Sequence, residues 1–148
     1  MHGGADATEM LVFMNMIKDL ERIGVYNKNI FDLAEEGVSF AGADDLERIL
    51  AFRDETSSRI AEMGEILTVQ DGERARAFIA RGDEIRHEFD GLISELVHST
   101  EPAVTAVPRA LLYRYLKRVT AHCLNVVSSV VMPVDRLDYF DEAEDTHA

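Results

Sequence analysis

The sequence contains few cysteines, prolines and basic residues, and each shortage excludes a class of protein. Its single cysteine, Cys123, excludes an internal disulfide and fits a reducing compartment. Three prolines and nine glycines are too few for a loop-rich β-sandwich. Only 15 Lys and Arg stand against 28 Asp and Glu, so the formal net charge of −13 disfavours binding to nucleic acid or to an anionic lipid surface.

The chain also lacks any apolar run of the ~18–20 residues that a membrane span needs. Residues 1–9 carry no Lys or Arg ahead of the first apolar stretch, so they do not resemble a secretory signal. Hydrophobic residues make up 47% of the 148 residues and charged residues 29%, which favours one folded domain. These features predict a soluble, cytoplasmic protein.

Long stretches with apolar residues at helical spacing predict four α-helices. Gly37 ends the first, a Gln70–Gly72 turn with Asp71 as N-cap precedes the third, and Pro133 follows the fourth. The predicted helices extend over residues 8–36, 44–69, 72–99 and 104–132, and a tail with an acidic end follows over 133–148. Short connections favour antiparallel neighbours, so we expect an all-α, up-down four-helix bundle.

Helical spacing also predicts the outward faces of the first and fourth helices. The core stripe of the first helix is expected to comprise Phe13, Met16, Leu20, Ile23, Ile30 and Phe31. This stripe leaves Leu11, Met14, Glu21 and Val25 facing outward. The core stripe of the fourth helix is expected to comprise Leu112, Leu116, Val119 and Cys123. Lys117 and Ala121 are then predicted to face outward.

An internal repeat relates these two helices at an offset of 96 residues, as from Leu20 to Leu116. Leu, Arg, a β-branched residue, Asn and a second β-branched residue recur in register, at positions 20, 22, 23, 29 and 30 and again at 116, 118, 119, 125 and 126. Apolar periodicity alone does not require the matching Arg and Asn, so the pattern favours a duplication.

The first copy of the repeat resembles a known family. Residues 18–37, KDLERIGVYNKNIFDLAEEG, are similar to the motif helix of the phosphate-uptake regulator (PhoU) family, and residues 136–142, RLDYFDE, resemble its C-terminal ends. PhoU proteins contain two three-helix repeats with this motif on the third helix of each. The resemblance implies that residues 8–36 are the third helix of a first repeat that lacks its first two helices, and that residues 44–132 are the second repeat.

The resemblance also identifies candidate metal-binding positions. PhoU proteins hold multinuclear iron or manganese clusters with an acidic pair in each motif. Here Glu21 keeps one acid, Val25 replaces the second, and Lys117 and Ala121 replace both acids of the other motif. An ammonium group repels a cation, and hard cations need several oxygen ligands together. We therefore expect no metal and no other cofactor.

Two further patterns have simpler interpretations. Glu84 with His87, and Glu95 with His98, have the Glu-x-x-His spacing of di-iron bundles, but both pairs lie on one predicted helix and are expected on its solvated side. Cys123 is expected to be a small buried hydrophobe.

The neighbouring polar residues of the repeat helices are assigned structural roles as well. His122 is expected to be packed or half-exposed beside the core stripe of the fourth helix. Asn29 and Asn125, at matched repeat positions, are either hydrogen-bonding partners across helices or exposed amides.

The resemblance implies a regulatory module without enzymatic activity. It would control phosphate transport or signalling by binding a phosphate transporter or its sensor kinase, in the cytoplasm and peripheral to or fused with the transporter. We expect partner binding through Leu11, Met14, Glu21 and Val25, and a homo-oligomer formed through exposed apolar surface of helices one and four. Two alternatives stay open: a domain of a sodium–phosphate cotransporter, and a metal-dependent helical-bundle enzyme.

Overall fold

The computed structural model of the chain describes residues 3–131, and the side chains of residues 7–131. The described residues form four α-helices: α1 (Gly3–Glu35), α2 (Leu46–Val69), α3 (Gly72–Val97) and α4 (Ala103–Ser128). The all-α prediction is confirmed, with helix ends displaced by at most five residues, as at Gly3 instead of Thr8. Met132, the predicted tail over 133–148 and the segment 136–142 lie outside the described residues.

The ends of two helices follow from local chemistry. Gly37, directly beyond α1, adopts a φ of 84°, a conformation that glycine accepts without steric cost. The side chain of Asp71 accepts hydrogen bonds from the backbone N–H groups of Glu73 and Arg74, which satisfies two donors of the first turn of α3. Both predicted helix boundaries are therefore confirmed.

Neighbouring helices pack in opposite directions, which confirms an up-down four-helix bundle. The pairs that show this are Asp19–His122 and Tyr26–Tyr115 for α1 and α4, Phe52–Phe89 and Arg59–Phe78 for α2 and α3, and Gly82–Leu124 and Asp90–Lys117 for α3 and α4. None of the helices within residues 3–131 combines the length and the apolarity needed to cross a membrane.

The core has two layers along the bundle axis. One layer surrounds an aromatic cluster of Phe52, Phe89 and Tyr113, with ring centroids 4.8 to 6.0 Å apart. The other layer contains Ile23 of α1 together with the C-terminal half of α4. Aromatic rings at such separations add packing energy beyond the area that they bury.

Helix α4 is the central element, because α1, α2 and α3 all pack against it. Every residue from Leu116 to Ser128 is buried, whichever way its side chain points. A helix at the surface of a bundle buries one stripe, whereas a helix with neighbours on several sides buries its whole circumference. The single stripe predicted for the fourth helix is therefore incomplete.

The core face predicted for α1 is only partly correct. Ile23 is buried, and Met16 and Ile30 pack partly buried against the core, as predicted. Phe13, Leu20 and Phe31 were also expected in the core, yet their exposed fractions lie between 44% and 63%. The predicted stripe mixes residues from two apolar sides of α1, because helical spacing alone does not show which side meets the rest of the bundle.

Candidate contact site on α1 and the buried polar cluster

Four residues of α1 form the candidate contact strip, which we define as Leu11, Met14, Glu21 and Val25. All four side chains are exposed, as predicted, and Val25 is the least exposed of the three apolar ones at 39%. Three of them are apolar, and their exposure costs free energy that a partner surface would recover. The strip can therefore bind an apolar surface, and a partner for it stays a prediction.

The corresponding positions of the second motif are not on the surface, so their predicted outward orientation is wrong. Lys117 and Ala121 are both buried. Helix α3 covers this side of α4, and the Lys117 Nζ lies 2.6 Å from Oδ1 of Asp90. The stem of Lys117 is buried while its ammonium group meets a carboxylate at the edge of the bundle, which is how long basic side chains combine packing with a satisfied charge.

The motif positions do not assemble a metal site. Glu21 lies exposed on α1, whereas Lys117 is engaged with Asp90 on the other side of α4. Within residues 7–131, no group of three or more His, Cys, Asp or Glu side chains is arranged to hold a metal ion. A cation at Glu21 would find one carboxylate and no second ligand from Val25, and one monodentate ligand binds such ions weakly.

A buried polar cluster joins α1 to α4, and the sequence did not predict it. We define it as Asp19, His122 and Asn125, whose side chains are all buried. Nδ1 of His122 lies 2.8 Å from Oδ1 of Asp19, and Nδ2 of Asn125 lies 3.4 Å from the same oxygen. Oδ1 of Asp19 accepts from the amide N–H of Asn125, and it accepts from Nδ1 of His122 in the tautomer that carries its proton there.

The cluster is closed to solvent, so its arrangement indicates a structural role. His122 has no exposed surface and Asp19 has 1%. Among the described residues, neither Nε2 of His122 nor Oδ1 of Asn125 has a hydrogen-bond partner. A catalytic Asp–His pair needs a nucleophile and a route for substrate, and this pair is sealed between two helices. Its polar atoms fix the register of α1 on α4, since sliding either helix would leave them unpaired.

The two repeat helices pack around a local pseudo-twofold axis. Tyr26 of α1 and its repeat counterpart His122 of α4 stack at 5.8 Å with an interplanar angle of 21°. The contact between Asp19 and His122 has its counterpart in the contact of Tyr115 with Tyr26, whose ring centroids are 6.1 Å apart. Exchanging the two helices by the repeat offset therefore maps one contact onto the other. Arg118 adds a hydrogen bond of 3.3 Å to the Tyr26 hydroxyl.

The other residues singled out in the sequence mostly have the structural or surface roles expected of them. His87 and His98 are exposed, and each Nδ1 lies 2.8 Å from a carbonyl oxygen of its own helix. Cys123 is buried as predicted, and burial raises the pKa of its thiol to about 12, so it is no nucleophile near neutral pH. Asn125 bonds across helices, whereas Asn29 is half-buried.

Asp19 was missed although the sequence contains a signal for it. The buried stripe of α1 shares Met16, Ile23 and Ile30 with the predicted one, and Asp19 is the only charged residue in it. This stripe consists of Val12, Met16, Asp19, Ile23, Tyr26, Ile30 and Leu33. A lone acid within an apolar helical stripe indicates a buried partner, and a histidine on another helix is the natural candidate.

Comparisons of the chain with protein-family models, with curated proteins and with solved structures gave no match. The resemblance of residues 18–37 to the PhoU family thus stays a prediction from the sequence.

Proposed function

We propose that the chain is a PhoU-like regulatory module that controls phosphate transport or phosphate signalling by protein contact, with no catalysis of its own. The partner would be a phosphate transporter or its sensor kinase. The proposal rests on the sequence motif of α1 and on one structural observation, the packing of the two repeat helices about a local pseudo-twofold axis at Tyr26 and His122. That packing is what a duplicated motif helix would produce.

The contact strip is the surface assigned to the partner. Leu11, Met14 and Val25 place apolar groups on the outside of α1, next to the carboxylate of Glu21. Burial of one valine side chain at an interface contributes roughly 1.5 kcal/mol or more, about tenfold in affinity. The substitution Val25→Asp removes this contribution and puts a charge in its place.

Affinity capture with a matched control tests the proposal. The purified chain, its Val25→Asp variant and a Val104→Glu variant are used as bait in phosphate-replete extract of the source cells. We expect a phosphate-transporter subunit or a phosphate-sensing kinase to be retained by the wild type and by Val104→Glu, and at least tenfold less by Val25→Asp. Val104 suits as control because it is 84% exposed on α4, away from the strip.

Two results would overturn the proposal. The first is that no phosphate-transport or phosphate-signalling protein is enriched over a bead control. The second is equal retention by the wild type and by Val25→Asp, with both chains folded by circular dichroism. Calorimetry with the purified candidate partner then tests the same interaction with pure proteins instead of extract.

A further inference from the structure

Beside the contact strip, α1 carries a second apolar surface, which we call the α1 seam. It consists of Met10, Phe13, Ile17, Leu20 and Phe31. Met10, Ile17 and Phe31 fall at heptad positions a, and Phe13 and Leu20 at positions d, with Gly24 and Asn27 at the remaining a and d positions. This spacing is the pattern of a coiled-coil contact, and it lies ~100° around the helix from the contact strip.

The seam lies opposite the face that α1 packs on α4, so the bundle itself leaves it uncovered. Ile17, in its middle, has an exposed fraction of 47%. The exposure of the seam residues contrasts with the burial of their repeat counterparts in α4. The α4 counterparts of Ile17 and Leu20 are Tyr113 and Leu116, and both are buried in the core.

The repeat counterparts in α4 are buried because a pair of helices covers them. Tyr113 packs against Phe52 of α2 and Phe89 of α3. The α1 seam therefore has the side chains of a buried helix face, and among the described residues nothing covers it. We propose that a second copy of this chain binds there, with the two α1 helices packed seam to seam across a twofold axis.

The area of the seam fits this occupant. The exposed fractions of the five seam residues lie between 44% and 63%, so at roughly 200 Å² per large side chain, the value for aromatic residues, they leave about 500 Å² per copy. Two copies would bury about 1,000 Å² in total, which is the size that a weak biological interface must reach. A dimer with a micromolar dissociation constant is the expected outcome.

The local charge also permits two copies to meet. Between Met10 and Phe31, three cations, Lys18, Arg22 and Lys28, stand against the two anions Asp19 and Glu21. The net charge of this segment is thus +1, although the whole chain carries −13. The excess of acidic residues lies elsewhere, so repulsion between two acidic chains is least along the seam.

The oligomeric state of the purified chain tests the inference. Sedimentation equilibrium from about 1 to about 500 µM should show the mass rising from 16.6 kDa toward twice that value. The Ile17→Glu variant should dimerise at least about 100-fold more weakly, because a twofold interface buries two unpaired carboxylates. Val104→Glu, on α4 and outside the seam, should dimerise like the wild type.

Pairing opposite charges at position 17 distinguishes a variant that has lost dimerisation from one that has lost its fold. Ile17→Glu mixed with Ile17→Lys should form a heterodimer, while each variant alone stays monomeric. A monomeric wild type over the whole concentration range would overturn the inference, and so would an Ile17→Glu variant that dimerises like the wild type. The measurement uses the pure chain and no phosphate-related partner, and Val25→Asp should leave the dimer intact. The inference and the proposed function can therefore fail independently.

Discussion

The carboxylate of Asp19 and the imidazole of His122 lie 2.8 Å apart although 103 residues separate them in the chain. Both side chains are buried, and Asn125 adds a second donor to the same carboxylate oxygen. The pair therefore fixes the register of α1 on α4 within the buried part of their contact, where its other neighbours are mainly apolar and aromatic.

Asp19→Ala should destabilise the protein by about 3 kcal/mol or more, because it leaves His122 and Asn125 buried without their acceptor. The control is Asp32→Ala, whose carboxylate pairs with Lys28 at 2.7 Å on the surface and should cost less than about 1 kcal/mol. Urea unfolding followed by circular dichroism measures both. Equal losses for the two variants would show that the buried cluster does not specify the α1–α4 contact.

Exchanging charges at two repeat-related positions should have unequal effects. Lys117→Glu places a second carboxylate beside Asp90 in a buried position and should cost about 3 kcal/mol or more. Glu21→Lys, at the exposed counterpart position, should change the free energy of unfolding by less than about 0.5 kcal/mol. If Lys117→Glu were tolerated as well as Glu21→Lys, the close packing of α3 on α4 would be wrong.

Gly82→Ala should destabilise the bundle by about 1–3 kcal/mol, because α3 approaches α4 closely at this residue. A β-carbon there would lie 2.6 Å from Nη2 of Arg59 and would overlap Leu124. Gly64→Ala is the matched control, since no described atom beyond its chain neighbours and the nearby backbone of α2 lies within 4 Å of its β-carbon position. The control should gain roughly 0.5–1 kcal/mol from helix propensity, so the two thermal midpoints should move in opposite directions.

Stability should fall at alkaline pH through Cys123 and Tyr113. Burial raises the pKa of Cys123 from 9.0 to about 12 and, together with the hydrogen bond to Asp45, that of Tyr113 from 10.0 to about 12. The unfolded chain therefore loses these protons first, so their contribution is complete below pH 9 and declines as the pH rises toward 12. Urea midpoints across this range should fall less steeply for Cys123→Ala than for the wild type. Identical slopes would contradict the burial of the thiol.

Titration with ferrous or manganese ions should reveal no site tighter than about 10 µM, because Glu21 has no second acidic ligand and Lys117 is paired with Asp90. Calorimetry without chelators measures this directly. Val25→Asp restores an acidic pair with Glu21 on α1 and should at most create a weak surface site. A submicromolar isotherm that disappears in Glu21→Ala would refute the prediction.

Helical spacing and turn residues were sufficient to predict the number of helices, their approximate bounds and their antiparallel order. They were insufficient for the core face of α1, because the predicted stripe mixes residues of two neighbouring stripes: Leu20 lies on the exposed one and Ile23 on the buried one. The choice between those stripes depends on Asp19 finding His122, a tertiary contact that no local pattern contains. Exposure of the contact strip was predicted correctly, since Val25 lies between the two stripes.

The fourth helix shows a different limit of sequence reasoning. Lys117, His122 and Asn125 are polar, which ordinarily indicates an exposed side, yet all three are buried. Each is compensated by a partner on α1 or α3, and those partners could not be identified from the sequence of α4 alone.

The central position of α4 has a consequence for the order of folding during synthesis. Both core layers include residues of α4, which follows the other three helices in the chain. The ribosome therefore synthesises α1, α2 and α3 before α4, against which all three pack. Asp19 cannot form its hydrogen bond until His122, 103 residues downstream, has been synthesised. Until Leu116–Ser128 emerges, α1 presents two apolar sides to solvent or to a chaperone. Folding should accordingly be late and cooperative, with protection of α1 amides appearing together with that of α4.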